Sequence, residues 1–196
     1  MRRTTLAGCG VVIALALTAC SGETEAPDEL GEASKGPVES TAFGPDCADL
    51  PSEGPGSLAS MAEQPFLTAV AENPGLSRLA SALERSGLER ELAEIDDMTV
   101  FAPVDDAFDI YPEEQVRELF DDADLLAYLI GHHVTLGEYG SRDLVEGSLP
   151  TFGGDRISTA EKDGEYTIEG YSPVVCADVR TTDATVHMVG MLLIPT

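Results

Sequence analysis

The stretch TVFAPVDDAF, residues 99–108, decides how the rest of the chain is read. It begins as an apolar, β-prone run, breaks at Pro103, and continues with the adjacent carboxylates Asp105 and Asp106. Two readings compete. Paired acids hold a metal or act as acid and base, or one of them caps a helix that starts where the strand stops. The string Asp105-Asp106-Ala107-Phe108-Asp109 also matches the D-D-x-x-D pattern with which all-helical isoprenoid enzymes hold magnesium and diphosphate. Those enzymes need a large helical cavity, so the periodicity of the flanking sequence decides between the two.

Upstream the pattern is helical. Residues 57–71, SLASMAEQPFLTAVA, bring Leu58, Met61, Phe66, Leu67 and Val70 near helical spacing, with Pro65 marking a break or a fresh start. Asn73-Pro74-Gly75 punctuates the run, Leu76, Leu79, Ala80 and Leu83 then recur at three and four residues until Gly87, and residues 88–95 add a short turn. Residues 98–102 alternate as a strand. Past the motif, Pro112 with Glu113 and Glu114 suits a helix start, and Val116, Leu119 and Phe120 are its expected buried side. A further helix starts at Asp122 or Asp124 and is expected to end at Gly131, before HHVTL; the acids Asp121, Asp122 and Asp124 read as its solvated start. Residues 141–144 read as a short capped turn.

The second half reads as strands. Gly153-Gly154 and Asp163-Gly164 are hairpin signals, the second flanked by residues 156–160 and 165–168. Residues 174–179 and 185–189 follow, and 191–194 are expected to close the chain. Helices first and strands last predict an α+β fold. A chain that ends in strands does not build an all-helical cavity, which argues against the magnesium–diphosphate reading of the opening motif.

The chain has 196 residues and 43% hydrophobic content, enough for one domain plus appendages. MRRTTLAGCGVVIALALTAC opens it with Arg2 and Arg3, an apolar run over residues 6–17, and small residues before Cys20. This reads as an export signal over residues 1–19, too short to span a bilayer. Leu17-Thr18-Ala19-Cys20 has the form of a bacterial lipobox, which predicts cleavage before Cys20 and acylation of that thiol. Acyl chains at about 0.8 kcal/mol per buried methylene make a stable anchor once two or more are attached. The Glu-, Pro-, Gly- and Ser-rich run that follows has little to bury and reads as a disordered acidic tether over residues 20–46, with an end-to-end distance of roughly 25–30 Å. The folded domain is expected over residues 47–196.

Without the signal, nine basic residues stand against 36 acidic ones, a net charge of −27. Such a surface repels nucleic acid and anionic headgroups, and with no Trp there is little stacking platform. Cys9 leaves with the signal and Cys20 takes the lipid, so Cys47 and Cys176 are expected to be bridged in an oxidising compartment. His132 and His133 would point to opposite faces if they lay in a strand, which argues against one shared zinc. Gly170-Tyr171-Ser172-Pro173-Val174 lacks the final Gly of a nucleophile elbow. No phosphate loop and no C-x-x-C is found, and no cofactor or metal is expected. Lys occurs only at Lys35 and Lys162 and Asn only at Asn73, a bias that suggests a GC-rich Gram-positive source.

Three stretches together resemble the fasciclin-like domain: TVFAPVDDAF, then LIGHHVTLGEYGSRDL at residues 129–144, then ATVHMVGMLLIP at 184–195 with PVVCADV before it. The single domain, the lipobox and the cysteine pair resemble the small secreted or lipid-anchored fasciclin proteins of actinobacteria. The resemblance implies a β-wedge of about seven strands with helices packed around it. It places Phe101 in a strand, makes Pro103 a turn, gives Asp105 the family's helix-capping position, and points Phe108 into the core. His133 matches the histidine of the family's Tyr-His motif and His187 that of its last motif, both expected in hydrogen-bonding roles. His132 stands where the family has Tyr, which weakens any transfer of the integrin-binding role proposed for animal relatives. The expected function is a surface lipoprotein displaying one adhesion or interaction domain. Its partner would be a protein or polysaccharide, its membrane contact the lipid on Cys20, and its form a monomer, not an enzyme. The alternatives are an envelope enzyme or small-ligand carrier with a cleft between helices and wedge, and a structural surface antigen.

Overall fold

The computed structural model describes residues 41–195. The export signal, the lipidation site Cys20 and most of the expected tether lie outside them. Helices come first. Ser57 caps α1 (Leu58–Ala62) by accepting from Ser60 N, and Pro65 sits just ahead of α2 (Phe66–Glu72). After Asn73-Pro74, α3 (Ser77–Ser86) buries Leu79, Ala82 and Leu83 and stops at Gly87, whose left-handed φ of 73° ends it at no steric cost. The short α4 (Glu89–Leu92) precedes β1 (Met98–Pro103). Then come α5 (Asp105–Asp109), α6 (Glu113–Asp121) and α7 (Ala123–His133). The remaining strands are β2 (Val134–Leu136), β3 (Glu146–Pro150), β4 (Arg156–Lys162), β5 (Glu165–Ile168), β6 (Ser172–Arg180) and β7 (Ala184–Val189).

The architecture is α+β, with seven strands in one sheet ordered β2-β1-β7-β6-β5-β4-β3. Only β1 and β7 pair in parallel, Val100 opposite Val186 and Phe101 opposite His187; the other pairs are antiparallel. A Thr135–Thr151 bridge links β2 to the chain just past β3, so the sheet nearly closes on itself. All six residues of both β1 and β7 are buried, because helices cover one face and the curled sheet the other. One core packs Met61, Phe66, Leu79, Leu126 and Ile130 against Val100 and Val186. A second, within the curl, holds Phe101, Leu149, Ile157, Ile168 and Leu193. Phe108, Leu129 and Leu192 form a third, smaller cluster.

Four expectations change. Helix α7 does not end at Gly131 but runs on to His133, so the two histidines occupy a helical turn rather than a strand. Gly131 is there for contact: a Cβ on it would stand 3.2 Å from Gly153 Cα, and its carbonyl accepts from Gly153 N. Residues 191–194 form no strand; β7 ends at Val189 and the chain leaves the ladder. Val116, Leu119 and Phe120 are only half-buried, because α6 lies at the rim of the helical layer. Packing also begins ahead of Cys47, since Phe43 exchanges both backbone hydrogen bonds with Ala177 of β6 (3.2 and 2.7 Å).

Candidate functional site

The opening motif is an anchoring device. Thr99 Oγ donates to Gly137 O (2.7 Å) and accepts from Tyr139 N (2.8 Å), which ties β1 to the loop after β2. Pro103 closes β1 opposite Val189, and Val104 N then donates to Val189 O. Asp105 does not cap its own helix. Its carboxylate accepts from Arg78 N (2.9 Å) and Ser77 Oγ (2.6 Å), so it caps α3 across the structure. The reason is local: the residue at the N-cap of α3 is Leu76, which has no side-chain acceptor, and the free amides of that turn need one. Asp106 is exposed and makes no ion pair or side-chain hydrogen bond among the described residues, while Asp109 pairs with Arg78 at 2.7 Å. Phe108 is buried edge-on to Phe120 with the Arg78 guanidinium over its ring at 5.9 Å. The three acids of the D-D-x-x-D string thus have different surroundings: Asp105 caps α3, Asp106 is exposed and Asp109 pairs with the Arg78 guanidinium. Among the described residues no group of three or more His, Cys, Asp or Glu side chains is placed to hold a metal ion.

The histidines are buried structural groups with separate partners. His133 donates from Nδ1 to Leu129 O (2.9 Å) and accepts at Nε2 from Leu193 N (3.0 Å). Burial, with a smaller push from His132, lowers its pKa to about 4 against the opposing bond to Leu129. His187 stacks on Phe101 at 5.6 Å, accepts at Nδ1 from Asp178 N (3.3 Å), and donates from Nε2 to Tyr139 O (2.9 Å). Burial lowers its pKa as well. Neither ring has a nitrogen left for a ligand.

His132 has partners that its sequence neighbourhood does not reveal. Its Nδ1 lies 2.8 Å from an Asp155 oxygen, and Thr151 donates its hydroxyl to the other. Burial raises the Asp155 pKa, but the bonds from Thr151 and His132 outweigh it and hold the carboxyl below its ordinary value. With Gly153 N donating to Gly131 O, these bonds hold the β3–β4 turn on the end of α7. Ser172, the serine of the elbow-like string, is buried and donates to Met191 O (2.9 Å).

Cys47 and Cys176 form a disulfide that spans 129 residues of sequence. It joins the 3-10 turn Pro45–Asp49 to a bulged part of β6. Gly44 fits between this bond and the Phe43–Ala177 bridge at φ 136°, where a Cβ would lie 2.4 Å from Val175 O.

The outer face carries a polar hollow of about 510 Å³ walled by Glu138, Ser141, Arg142, Asp143, Asp178 and Arg180, and a separate, more apolar groove. Beside α6 a trough of about 590 Å³ is walled by Arg78, Phe108, Tyr111, Val116, Arg117 and Phe120. A second, more apolar one of about 280 Å³ adjoins it along Tyr111, Val116, Leu119, Leu192 and Ile194. Ile110 and Ile194 stand exposed beside it, and burial together with the neighbouring Tyr171 raises the pKa of Tyr111. The sequence hinted at this face only through the thin apolar stripe of α6.

A near-closed seven-stranded sheet under a helical layer, with Phe101, Phe108, His133 and His187 of the three quoted motifs buried in its seams, defines a fasciclin-type domain. The sequence profile of the fasciclin domain matches residues 74–195. The cell surface glycolipoproteins MPB83 of Mycobacterium bovis and MPT83 of Mycobacterium tuberculosis are 35% identical over 147 residues, 72% of this chain and 66% of theirs. The chain therefore spans a little under two thirds of those relatives. The immunogenic protein MPB70 of Mycobacterium bovis is 31% identical over 160 residues, 78% of this chain and 81% of its own. A solved FAS1 domain pair from the insect cell adhesion molecule fasciclin I superposes with a TM-score of 0.59 at 24% identity, covering 68% of this chain and 52% of that one. The chain belongs to the fasciclin-domain family. Among the described residues no helix is long and apolar enough to cross a membrane.

Proposed function

We propose that this protein is exported, anchored by lipid on Cys20 to the outer face of the cytoplasmic membrane, and displays its fasciclin domain as a non-enzymatic interaction module. The observation that carries the reading is the conjunction of a lipobox, LTAC, with a domain related to named cell surface glycolipoproteins. The geometry supports a binder over an enzyme: the family-motif residues Phe101, Pro103, Phe108, His133 and His187 are buried in structural roles. We read the groove beside α6 as the docking face, because its Phe, Tyr and Arg walls are the residue types that dominate protein interfaces. The partner is therefore read as a protein.

The anchor is tested by mass spectrometry of the native protein, which should show a diacylglyceryl group on Cys20; a mature N-terminus at another residue overturns it. The docking face is tested by recovering surface partners with the wild-type domain and with a Tyr111→Ala, Val116→Glu variant. Loss of a partner at unchanged melting temperature supports the groove, and equal recovery removes it. Activity toward ester, peptide or glycoside substrates that copurifies with the chain would overturn the non-enzymatic reading.

A further inference from the structure

Beyond β7 the chain stays on the domain without joining a ladder. Gly190 N donates to Pro173 O (2.9 Å), and Tyr171 Oη donates to Leu192 O (3.2 Å) while accepting from Ile194 N (2.8 Å). One tie lies fully inside, the bond from Leu193 N to His133 Nε2. Leu192 fills the cluster of Phe108 and Leu129, and Leu193 the cluster of Phe101. The segment is a strap over two apolar clusters, fastened at its middle by a histidine.

The fastening works in one protonation state. Because Nδ1–H is committed to Leu129 O, Nε2 accepts from Leu193 only while it is bare. A proton there would set two N–H donors face to face at 3.0 Å and leave a cation without water. The titratable groups around this spot are few. His132 is next along α7 with its ring turned to Asp155 of the β3–β4 turn, and Tyr171 holds the other side of the strap. Among the described residues no carboxylate lies within ion-pair distance of His133.

We propose that His133 is an acid-sensitive catch for the C-terminal strap, whose protonation frees Leu193, lifts Leu192 from Phe108 and Leu129, and opens the apolar surface beneath. The direction follows from burial. In the closed form burial holds the His133 pKa near 4, and in an opened form exposure to water returns it to about 6.5. The catch is therefore fully effective above about pH 6.5, weakens as the pH falls from there toward about 4, and loses little more below it. By linkage the open fraction rises on the order of a hundredfold at pH 4. Leu192 and Ile194 also wall the smaller groove, so its shape changes with the strap. The catch itself does not depend on that groove binding a partner.

Amide hydrogen exchange on the full chain, followed by NMR from pH 7 to 4 and corrected for intrinsic rates, tests this. The expected result is a roughly hundredfold loss of protection at Leu193, with Val100 and Val186 of the β1–β7 pair still protected. His133→Gln, which offers a non-titrating acceptor, should abolish the acid step. His133→Phe should leave Leu193 unprotected at neutral pH. Should either variant fail to fold, the wild-type titration still decides. Protection at Leu193 that persists to pH 4, that falls in step with Val100 and Val186, or that keeps its acid step in His133→Gln would overturn the proposal.

Discussion

The two acids of the opening motif should differ sharply when removed one at a time. Asp105 accepts two hydrogen bonds at the start of α3, from Arg78 N at 2.9 Å and Ser77 Oγ at 2.6 Å. A hydrogen bond to a charged group nets about 1.5–3 kcal/mol when buried, and a helix cap about 1 kcal/mol. Asp105 is only half-buried, so the low end applies and the pair together contributes about 2 kcal/mol. The loss reaches the core because α3 carries Leu79, Ala82 and Leu83 into it. For a domain of this size that is a fall in melting temperature of about 4–8 °C. Asp105→Asn, which keeps one acceptor, should lose about half as much. Asp106→Ala should stay within about 0.5 kcal/mol, since an exposed side chain without a partner has little to lose. Urea denaturation of Asp105→Ala, Asp105→Asn, Asp106→Ala and Ser77→Ala, with the Ser77→Ala, Asp105→Ala double variant closing the cycle, should give a coupling between Ser77 and Asp105 of about 1 kcal/mol. If Asp106→Ala costs as much as Asp105→Ala, or if the Ser77 coupling is zero, the capping argument fails. Magnesium that stabilises the fold through Asp105, Asp106 and Asp109 together would return the motif to metal chemistry.

Reducing the Cys47–Cys176 bond, which spans 129 residues, should cost up to about 5 kcal/mol in the chain-entropy picture. The domain should still fold, and urea midpoints with and without reductant give the difference. Gly44→Ala should destabilise by more than about 1 kcal/mol, because a Cβ 2.4 Å from Val175 O at φ 136° forces the Phe43–Ala177 bridge apart; amide exchange at Phe43 and Ala177 reports it. The lowered pKa of His187 means that its contribution to stability is complete above about pH 6.5 and falls as the pH drops toward the folded value. His187→Gln should flatten that part of the pH–stability curve, and an unchanged slope would contradict it. Asp155 should titrate below an ordinary aspartate in carboxyl-detected NMR, with its share of stability lost only at more acid pH, and His132→Phe should move it back up.

Much of this was legible without coordinates. The helix-then-strand order, the break at Pro65, the αL stop at Gly87 and the Asp163-Gly164 hairpin are local matters, set by side-chain periodicity and by which residues tolerate positive φ. The three family motifs stood out for the same reason: each is a continuous run. The strands β2 and β3 carried weaker signals, since one is three residues long and the other places a single buried residue among exposed ones.

What the sequence determined alone, then, is what neighbours along the chain decide: the elements, their order, and the cysteine pair left over for a bond. The tertiary structure decided the partners. A carboxylate reads the same whether it caps its own helix or one that begins 28 residues upstream, and only the fold brings Asp105 to Ser77 and Arg78. Gly131 reads as a helix stop in sequence, but the backbone of Gly153 packed against it makes it a contact point within the last turn of α7. The apolar run at residues 191–194 has a strand's composition, yet it joins no ladder, and His133 and Tyr171 hold it instead. Hydrogen-bond donors and acceptors carry no address in the sequence; they pair with whatever the closed packing of the core leaves within 3 Å or so.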